Sequence, residues 1–523
     1  MAKELHIAKT FIWVKNMIKN IVEYFEETLG KSSDKIAVVD GNRRINFGEL
    51  ASMVFSVGTA ITNISTNKKR QPIAVFIPKS IECIVSDIGI TYSGNVFMNL
   101  DVKTPANRLK NIVDLVEPMY IVTTEKYKTI TSGFVDDDKI LLIDSLCQED
   151  PDHDALMKSL EELIDTDPFC LINTSGSTGT PKSVILNHRS FIDFFEWAKS
   201  TVHWLDDEII GSLSPAVFDI YTFEICMMMA KSSTIVVINE MFAAFPVKIL
   251  QLLNAEKVSF IFWVPTIMVN IANMGLLDKF SLTSLKMVWF AGEVFPTKQF
   301  NCWRRALPET IFVNMYGPIE ITLDCTYYIV NRDIPDDEPI PIGYPCRNTD
   351  ILILDDNDNL IGVDEEGELC VRGTSLAMGY YNNPEKTAVA FVQNPLNKSY
   401  PELIYRTGDM VKFNEYGEIV FIGRKDSLIK HSGYRIELSE IEHVIVNTLH
   451  LVKNGCAVYD YTHKEIVFYY EAQDDVEISV FRKEISNVFP RYMIPNRFEK
   501  VDLLPRNTNG KIDRLQLKNM ANS

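Results

Sequence analysis

The chain of 523 residues sets 52 Lys and Arg against 70 Asp and Glu, a formal charge of −18. That balance repels a phosphate backbone, and no stretch interleaves Lys and Arg with aromatics as a nucleic-acid groove does, which excludes nucleic acid as a partner. An apolar fraction of 46 % with 23 % charged residues suits a globular protein with a sizeable core, without repeats or low-complexity tracts. Near the start, Phe11, Ile12, Val14, Met17, Ile18, Ile21, Val22 and Phe25 recur at helical spacing, with Lys15, Lys19, Glu23 and Glu26 between them. This predicts an amphipathic helix packed on the body, with a membrane-surface helix as the alternative. No uncharged apolar run reaches the roughly eighteen residues needed to span a bilayer. The nine cysteines, scattered without a C-x-x-C pair, suit reduced thiols and a cytoplasmic setting better than a disulfide framework or a zinc site.

Further along, Phe169-Cys170-Leu171-Ile172 and Val184-Ile185-Leu186 read as strands. Between them Thr174, Ser175, Gly176, Ser177, Thr178, Gly179, Thr180, Pro181, Lys182 and Ser183 concentrate hydroxyls and glycine beside one lysine. Glycine lets backbone N–H groups approach an anion, hydroxyls add donors and lysine adds charge, a composition suited to polyphosphate. A P-loop is ruled against, because Pro181 rather than glycine precedes the lysine and a strand rather than a helix follows. The bland alternative is a solvated Ser/Thr/Gly turn.

Beyond the loop, the strand-like Ile311-Phe312-Val313 leads into Asn314-Met315-Tyr316-Gly317-Pro318-Ile319-Glu320, where the Gly-Pro turn can leave the Tyr316 ring flat against a purine. Tyr405-Arg406-Thr407-Gly408-Asp409 ends on a carboxylate that reads as closing a turn, an acceptor suited to both hydroxyls of a ribose. A block from Gly423 to Glu442 follows, and Asn509-Gly510-Lys511 places an ammonium at the tip of a hairpin-like loop. Each residue alone also fits a structural role: a core tyrosine, a turn aspartate, an exposed lysine.

Together and in this order, these motifs resemble the adenylate-forming enzymes. Within them the chain is most similar to the amino-acid-activating branch: adenylation domains of nonribosomal peptide synthesis and the ligases that load D-alanine onto a carrier protein. The resemblance runs from Ile45-Asn46-Phe47-Gly48-Glu49-Leu50 to Arg514. It implies an α/β fold: a large mixed α/β N-terminal body of several subdomains over residues 1–424, and a small mobile α+β C-terminal domain over 425–523. It implies ATP and Mg²⁺, with Thr174, Ser175, Gly176, Ser177, Thr178, Gly179, Asn314, Tyr316, Gly317, Asp409 and Arg424 on the nucleotide and Glu320 on the metal. Lys182 and Lys511 join Glu320 as catalytic groups, and Asp426 is the implied hinge about which the small domain turns, presenting Lys511 and then the Gly433 region.

The resemblance also implies that Asp219 meets the α-ammonium of an amino acid, which fits the chemistry of a carboxylate buried beside a cationic ligand. Acyl-CoA synthetases tend to carry an aromatic-His pair near this point, and Ser214-Pro215-Ala216-Val217-Phe218 has no histidine. Carried over without gaps, the side-chain pocket comprises Ile220, Phe223, Phe262, Trp289, Ala291, Met315, Leu323 and Asp324; its bulky walls favour a small or compact amino acid. Phe290-Ala291-Gly292-Glu293-Val294 resembles the D-alanine ligases, which have cysteine at the place of Ala291. Two positions depart from the family: Ser183 stands for a glycine, and Ile319 for a threonine whose hydroxyl lies near the phosphates, a loss of about 0.5–1.5 kcal/mol for one hydrogen bond. The acceptor expected is the phosphopantetheine thiol of a separate carrier protein, with an acid–CoA ligase and a degenerate nucleotide- or carrier-binding homologue as alternatives.

Overall fold

The computed structural model describes residues 18–522 apart from 67, 175–180, 203, 205–206, 364, 426–427, 453, 472–476 and 507–511. The first described helix, α1, spans Val22–Ser32; residues 11–17 of the helix expected from Phe11 lie outside the described residues. The four residues before it are not helical, because local side-chain bonds compete with the helix: Asn20 Oδ1 accepts the Val22 N–H at 3.1 Å and Glu23 accepts that of Lys19 at 3.1 Å. As expected, α1 packs on the body, with Ile21, Val22, Tyr24 and Phe25 buried. The Ile21 N–H donates to His188 Nδ1 at 3.3 Å, and burial pushes that imidazole down to about 4.

Strands separated by helices, each strand an almost unbroken apolar run, are the pattern of parallel sheets covered on both faces. Two such sheets form the body. One has seven strands, built on parallel Pro72–Phe76, Val96–Asn99, Tyr120–Thr123 and Ile140–Leu142. Strand β1 (Pro168–Thr174) joins this sheet next to Val96–Asn99, and β2 (Lys182–Asn187) returns antiparallel to it, so the hydroxyl-rich segment does connect two strands. The other has nine strands; its parallel centre includes Ile209–Ser212, Phe260–Trp263, Met287–Phe290 and β3 (Ile311–Tyr316). Helix α2 (Asp219–Lys231) contributes ten buried side chains to the core between the sheets.

A five-stranded antiparallel sheet follows, with β4 (Leu403–Phe413) at its centre. The Thr407-Gly408-Asp409 segment is not the simple turn its composition suggested. It lies inside β4 as a bulge: Arg406 pairs with Cys370 and Met410 with Glu368, so the extra residues must loop out, and Gly408 takes φ +72°. The Thr407 hydroxyl holds the bulge, donating to the Leu369 carbonyl at 2.7 Å and accepting the Asp409 N–H at 3.0 Å.

Residues 428–522 form smaller units. Strands β5 (Leu428–His431) and β6 (Tyr434–Glu437) make a hairpin, and a three-stranded sheet (Asn454–Asp460, Glu465–Glu471, Arg497–Val501) packs against short helices. The segment after the hairpin is α-helical over Leu438–His443 and widens to a π turn over Val444–Thr448. A large mixed α/β body with a smaller α+β C-terminal region is the architecture expected.

Candidate active site

The C-terminal ends of β1 and β3, the bulge of β4, the start of α2 and the β5–β6 hairpin converge. Thr174, buried at the end of β1, faces Lys182 across the ladder. Ser175, Gly176, Ser177, Thr178 and Gly179 lie outside the described residues, as do Asp426 and Lys511; near Lys511, Arg506 and Ile512 bridge antiparallel. The Lys182 ammonium sits 2.9 Å from a Glu437 oxygen and 5.5 Å from the centre of the Tyr380 ring. Ser183 is wholly buried and its hydroxyl donates to Asn173 Oδ1 at 2.6 Å, so the departure from glycine is absorbed inside the sheet.

β3 delivers the next group. The Asn314 amide donates to the Pro341 carbonyl at 2.8 Å, and the Tyr316 hydroxyl donates to Asp409 at 2.5 Å. The other Asp409 oxygen receives Arg424 Nη1 at 2.5 Å. Beyond the Gly317-Pro318 turn, Glu320 is fully buried and accepts from the Tyr380 hydroxyl at 2.8 Å and from Arg435 at 2.5 Å. Burial alone would push its carboxyl up; Arg435, Tyr380 and Lys182 outweigh that and hold it below the ordinary glutamate value. Gly317 is required by space, since a Cβ there would lie 2.4 Å from the Leu323 carbonyl oxygen and 2.5 Å from the Asp324 Cα.

The region around Asp219 is built differently. Asp219 opens α2, where burial pushes its carboxyl up to about 6 against the pull of the Ile220 and Leu323 backbone N–H groups and of Lys430. Ile220, Phe223, Phe262, Trp289, Ala291, Met315 and Leu323 are all buried in one continuous core cluster, so the structure brings the carried-over pocket together. Phe262 and Trp289 are cross-strand neighbours on adjacent parallel strands. Trp289 stacks on Phe223 with centroids 5.3 Å apart and meets Phe262 edge-on at 5.5 Å, a closed aromatic floor. Thr322 and Leu323 take φ of 49° and 63°, a left-handed pair that turns the chain back towards Gly317. The carboxyl of Asp324, which follows them, is pushed well up, first by burial and then by Asp219.

Sequence reasoning gave no role to the hairpin's own charges. Lys430 lies 5.6 Å over the Tyr316 ring, Arg435 reaches Glu320, Glu437 reaches Lys182, and the Gly433 N–H donates to Glu293 at 2.7 Å. The signal available was the Gly423–Glu442 block itself, which marks the segment but not its partners. Beside the hairpin runs a cleft of about 70 Å³ lined by, among others, Asn99, Arg108, Thr174, Phe218, Ile319 and Tyr434. Tyr434 stacks on Tyr492 at 3.5 Å, and Arg108 pairs with Glu440 across the same seam at 2.5 Å.

Comparison with known proteins places this geometry. Zwittermicin A synthase ZmaJ of Bacillus cereus is 30 % identical over 506 residues, covering 94 % of both chains. Tyrocidine synthase 1 of Brevibacillus parabrevis is 28 % identical over 505 residues, 95 % of this chain; this chain spans only 45 % of that protein's length. The fold matches the Vibrio cholerae adenylation domain AlmE, solved in complex with glycyl-adenosine-5'-phosphate, with a TM-score of 0.83 over 96 % of this chain and 98 % of that one at 18 % identity. Residues 25–381 match the family model described as AMP-binding enzyme, and with the phosphate-loop lysine, the β3 tyrosine and the buried glutamate gathered at one site, the chain belongs to that adenylate-forming family.

Proposed function

We propose that this protein activates a small or compact amino acid as its adenylate and then transfers it to the phosphopantetheine thiol of a separate carrier protein. One observation carries the amino-acid assignment: Asp219, a carboxylate desolvated at the first turn of α2, stands beside a floor closed by Phe223, Phe262 and Trp289. A carboxylate in such a wall is stabilised by a cationic ligand, and the filled floor leaves room for a short side chain. In the first half-reaction the substrate carboxylate oxygen bonds to the α-phosphorus of ATP and the bond to the bridging oxygen breaks, releasing pyrophosphate. In the second, the thiol sulfur bonds to the carbonyl carbon, its proton passes to solvent and AMP leaves with the bonding electrons.

Lys182, with Lys511 from the C-terminal region, supplies positive charge to the phosphates; Tyr316 offers its ring to adenine and Asp409 its oxygens to the ribose. Glu320 suits a divalent cation, because its carboxylate is fully buried and holds a positive partner at 2.5 Å. Magnesium bound there would shield charge developing on the phosphates. The boundary near residues 424 and 425 and a hinge at Asp426 belong to the same reading, as does a cytoplasmic setting; among the described residues no helix is long and apolar enough to cross a membrane, and all nine cysteines are unpaired. The cleft beside Tyr434 and Phe218 is the proposed path for the thiol arm.

The test is ATP–pyrophosphate exchange across L- and D-amino acids, with fatty and aryl acids as controls. Exchange with one or a few small amino acids is expected, followed by thioester formation with a phosphopantetheinylated carrier rather than free coenzyme A. Exchange confined to acids without an α-amino group would overturn the role of Asp219.

A further inference from the structure

Lys182 opens β2 in the seven-stranded sheet, and Glu320 follows β3 of the nine-stranded one, so the distance between them depends on what ties the two sheets together. Residues 377–381 form such a tie. Their two-residue strand, Gly379–Tyr380, runs antiparallel to β2, with Gly379 opposite Ile185 and Tyr380 opposite Val184. The Met378 N–H donates to the Ile185 carbonyl at 2.9 Å and the Tyr381 N–H to the Ser183 carbonyl at 2.8 Å. In the other direction, the Ala377 N–H donates to the backbone carbonyl of Glu320 at 2.9 Å. The segment therefore straps the strand that begins at Lys182 to Glu320 itself.

Two neighbours fix the strap. Gly379 takes φ +120°, and a Cβ there would lie 2.6 Å from Thr387 Cγ2, so only glycine lets Thr387 come this close. The Thr387 hydroxyl accepts the Tyr380 N–H at 2.9 Å and donates to the Asn383 carbonyl at 2.8 Å. The Tyr380 side chain is buried and meets Phe391 edge-on with ring centres 6.1 Å apart. From there it reaches both charged groups: its hydroxyl donates to Glu320 Oε1 at 2.8 Å, and its ring centre lies 5.5 Å from the Lys182 ammonium, within cation–π range. With Oε1 engaged by the hydroxyl, Oε2 is the oxygen that meets a cation, Arg435 Nη1 at 2.5 Å.

Resting on the reading that gives Glu320 to magnesium and Lys182 to phosphate, we propose that Tyr380 is a positioning residue for both, its hydroxyl orienting the carboxylate and its ring holding the lysine, so that residues 377–381 set the spacing between metal and phosphate. The hydroxyl and the ring act on different partners. Loss of the hydroxyl frees the carboxylate to rotate, and removing the outer partner of a metal ligand costs about 10- to 100-fold in metal affinity or activity. Loss of the ring releases the ammonium, whether or not metal is present.

Calorimetric affinity of the full chain for a non-hydrolysable ATP analogue, measured with and without Mg²⁺, separates these contributions. Tyr380→Phe deletes one oxygen and keeps the ring; the gain in affinity conferred by magnesium is expected to fall about tenfold or more, with metal-free affinity near that of wild type. Tyr380→Leu is expected to weaken metal-free binding as well, by about threefold. Thr387→Val leaves the tyrosine in place but frees its N–H, and is expected to lose part of the magnesium gain, which tests the strap independently of any change at position 380. A magnesium gain equal to that of wild type in both Tyr380→Phe and Thr387→Val, whatever their denaturation midpoints, makes Tyr380 a packing residue and leaves the proposed function standing. Metal-free affinity unchanged in Tyr380→Leu removes its hold on Lys182. A wild type that binds the analogue no better with magnesium, or not at all, overturns the assignment of Glu320 to the metal and this inference with it.

Discussion

On the side that the proposed function gives to the nucleotide, three charges have a partner of opposite sign within 3 Å: Lys182 with Glu437, Glu320 with Arg435, Asp409 with Arg424. On the side that it gives to the amino acid, burial raises the carboxyls of Asp219 and Asp324, Asp219 adds to the rise at Asp324, and Lys430 pulls both the other way. The first half is electrostatically complete before a ligand arrives, so binding there is an exchange of partners. In the second half burial outweighs Lys430, so on the proposed function an arriving ammonium adds the counter-charge that favours the ionised Asp219. Buried pairs hold geometry but add little net stability, whereas a desolvated carboxylate stores affinity for the right cation.

The sharpest way to break this comparison is to remove Lys182. Lys182→Ala is expected to lower the rate of pyrophosphate exchange by about 10²–10³-fold, the loss that follows removal of one preorganised electrostatic stabiliser. It should leave the Michaelis constant for the amino acid nearly unchanged, because the two halves are neutralised separately; a matching rise in that constant would dissolve the distinction. A more moderate effect concerns pH. Burial raises Asp219 above its ordinary value of 3.8 to about 6, so ionising it in the folded protein is unfavourable, and that burden grows as pH rises from about 4 to 6. The ionised form is the one that binds an ammonium. Apparent affinity for the amino acid is therefore expected to increase as pH rises through about 6 and then level off, while Asp219→Asn should bind weakly with no such rise. Affinity that is flat across this window in wild type would remove Asp219 from contact with the substrate amine. The smallest effect tests packing on the nucleotide side: Ser183→Gly deletes a buried hydroxyl that donates to Asn173 and should lower stability to denaturant by about 1 kcal/mol, with little change in turnover.

Much of this site could be read from the chain because its parts are local. The strands flanking Thr174 and Lys182 are apolar runs, and the Asn314–Glu320 segment is contiguous. What escaped the sequence depends on distance or backbone detail. Arg435 and Glu320 lie 115 residues apart, and Glu437 and Lys182 lie 255 apart. No local pattern announces which carboxylate an arginine so far along the chain meets. The Thr407–Asp409 segment has turn composition yet sits within a strand, because Gly408 absorbs the extra residues as a bulge. Near the N-terminus, helical periodicity continues through Ile18 and Ile21, but Asn20 and Glu23 capture backbone donors and residues 18–21 stay out of the helix that runs from Val22.

Gly317 has a bearing on how such a protein acquires a new substrate. With no room for even a methyl group between it and the Leu323–Asp324 backbone, that turn, the wall of the proposed amino-acid pocket, is bolted to the strand that presents Tyr316. The path of the 323–324 backbone cannot shift without disturbing the Ile311–Tyr316 strand. If the proposed function holds, specificity can therefore diversify through what the wall displays, and is held in place in where the wall stands.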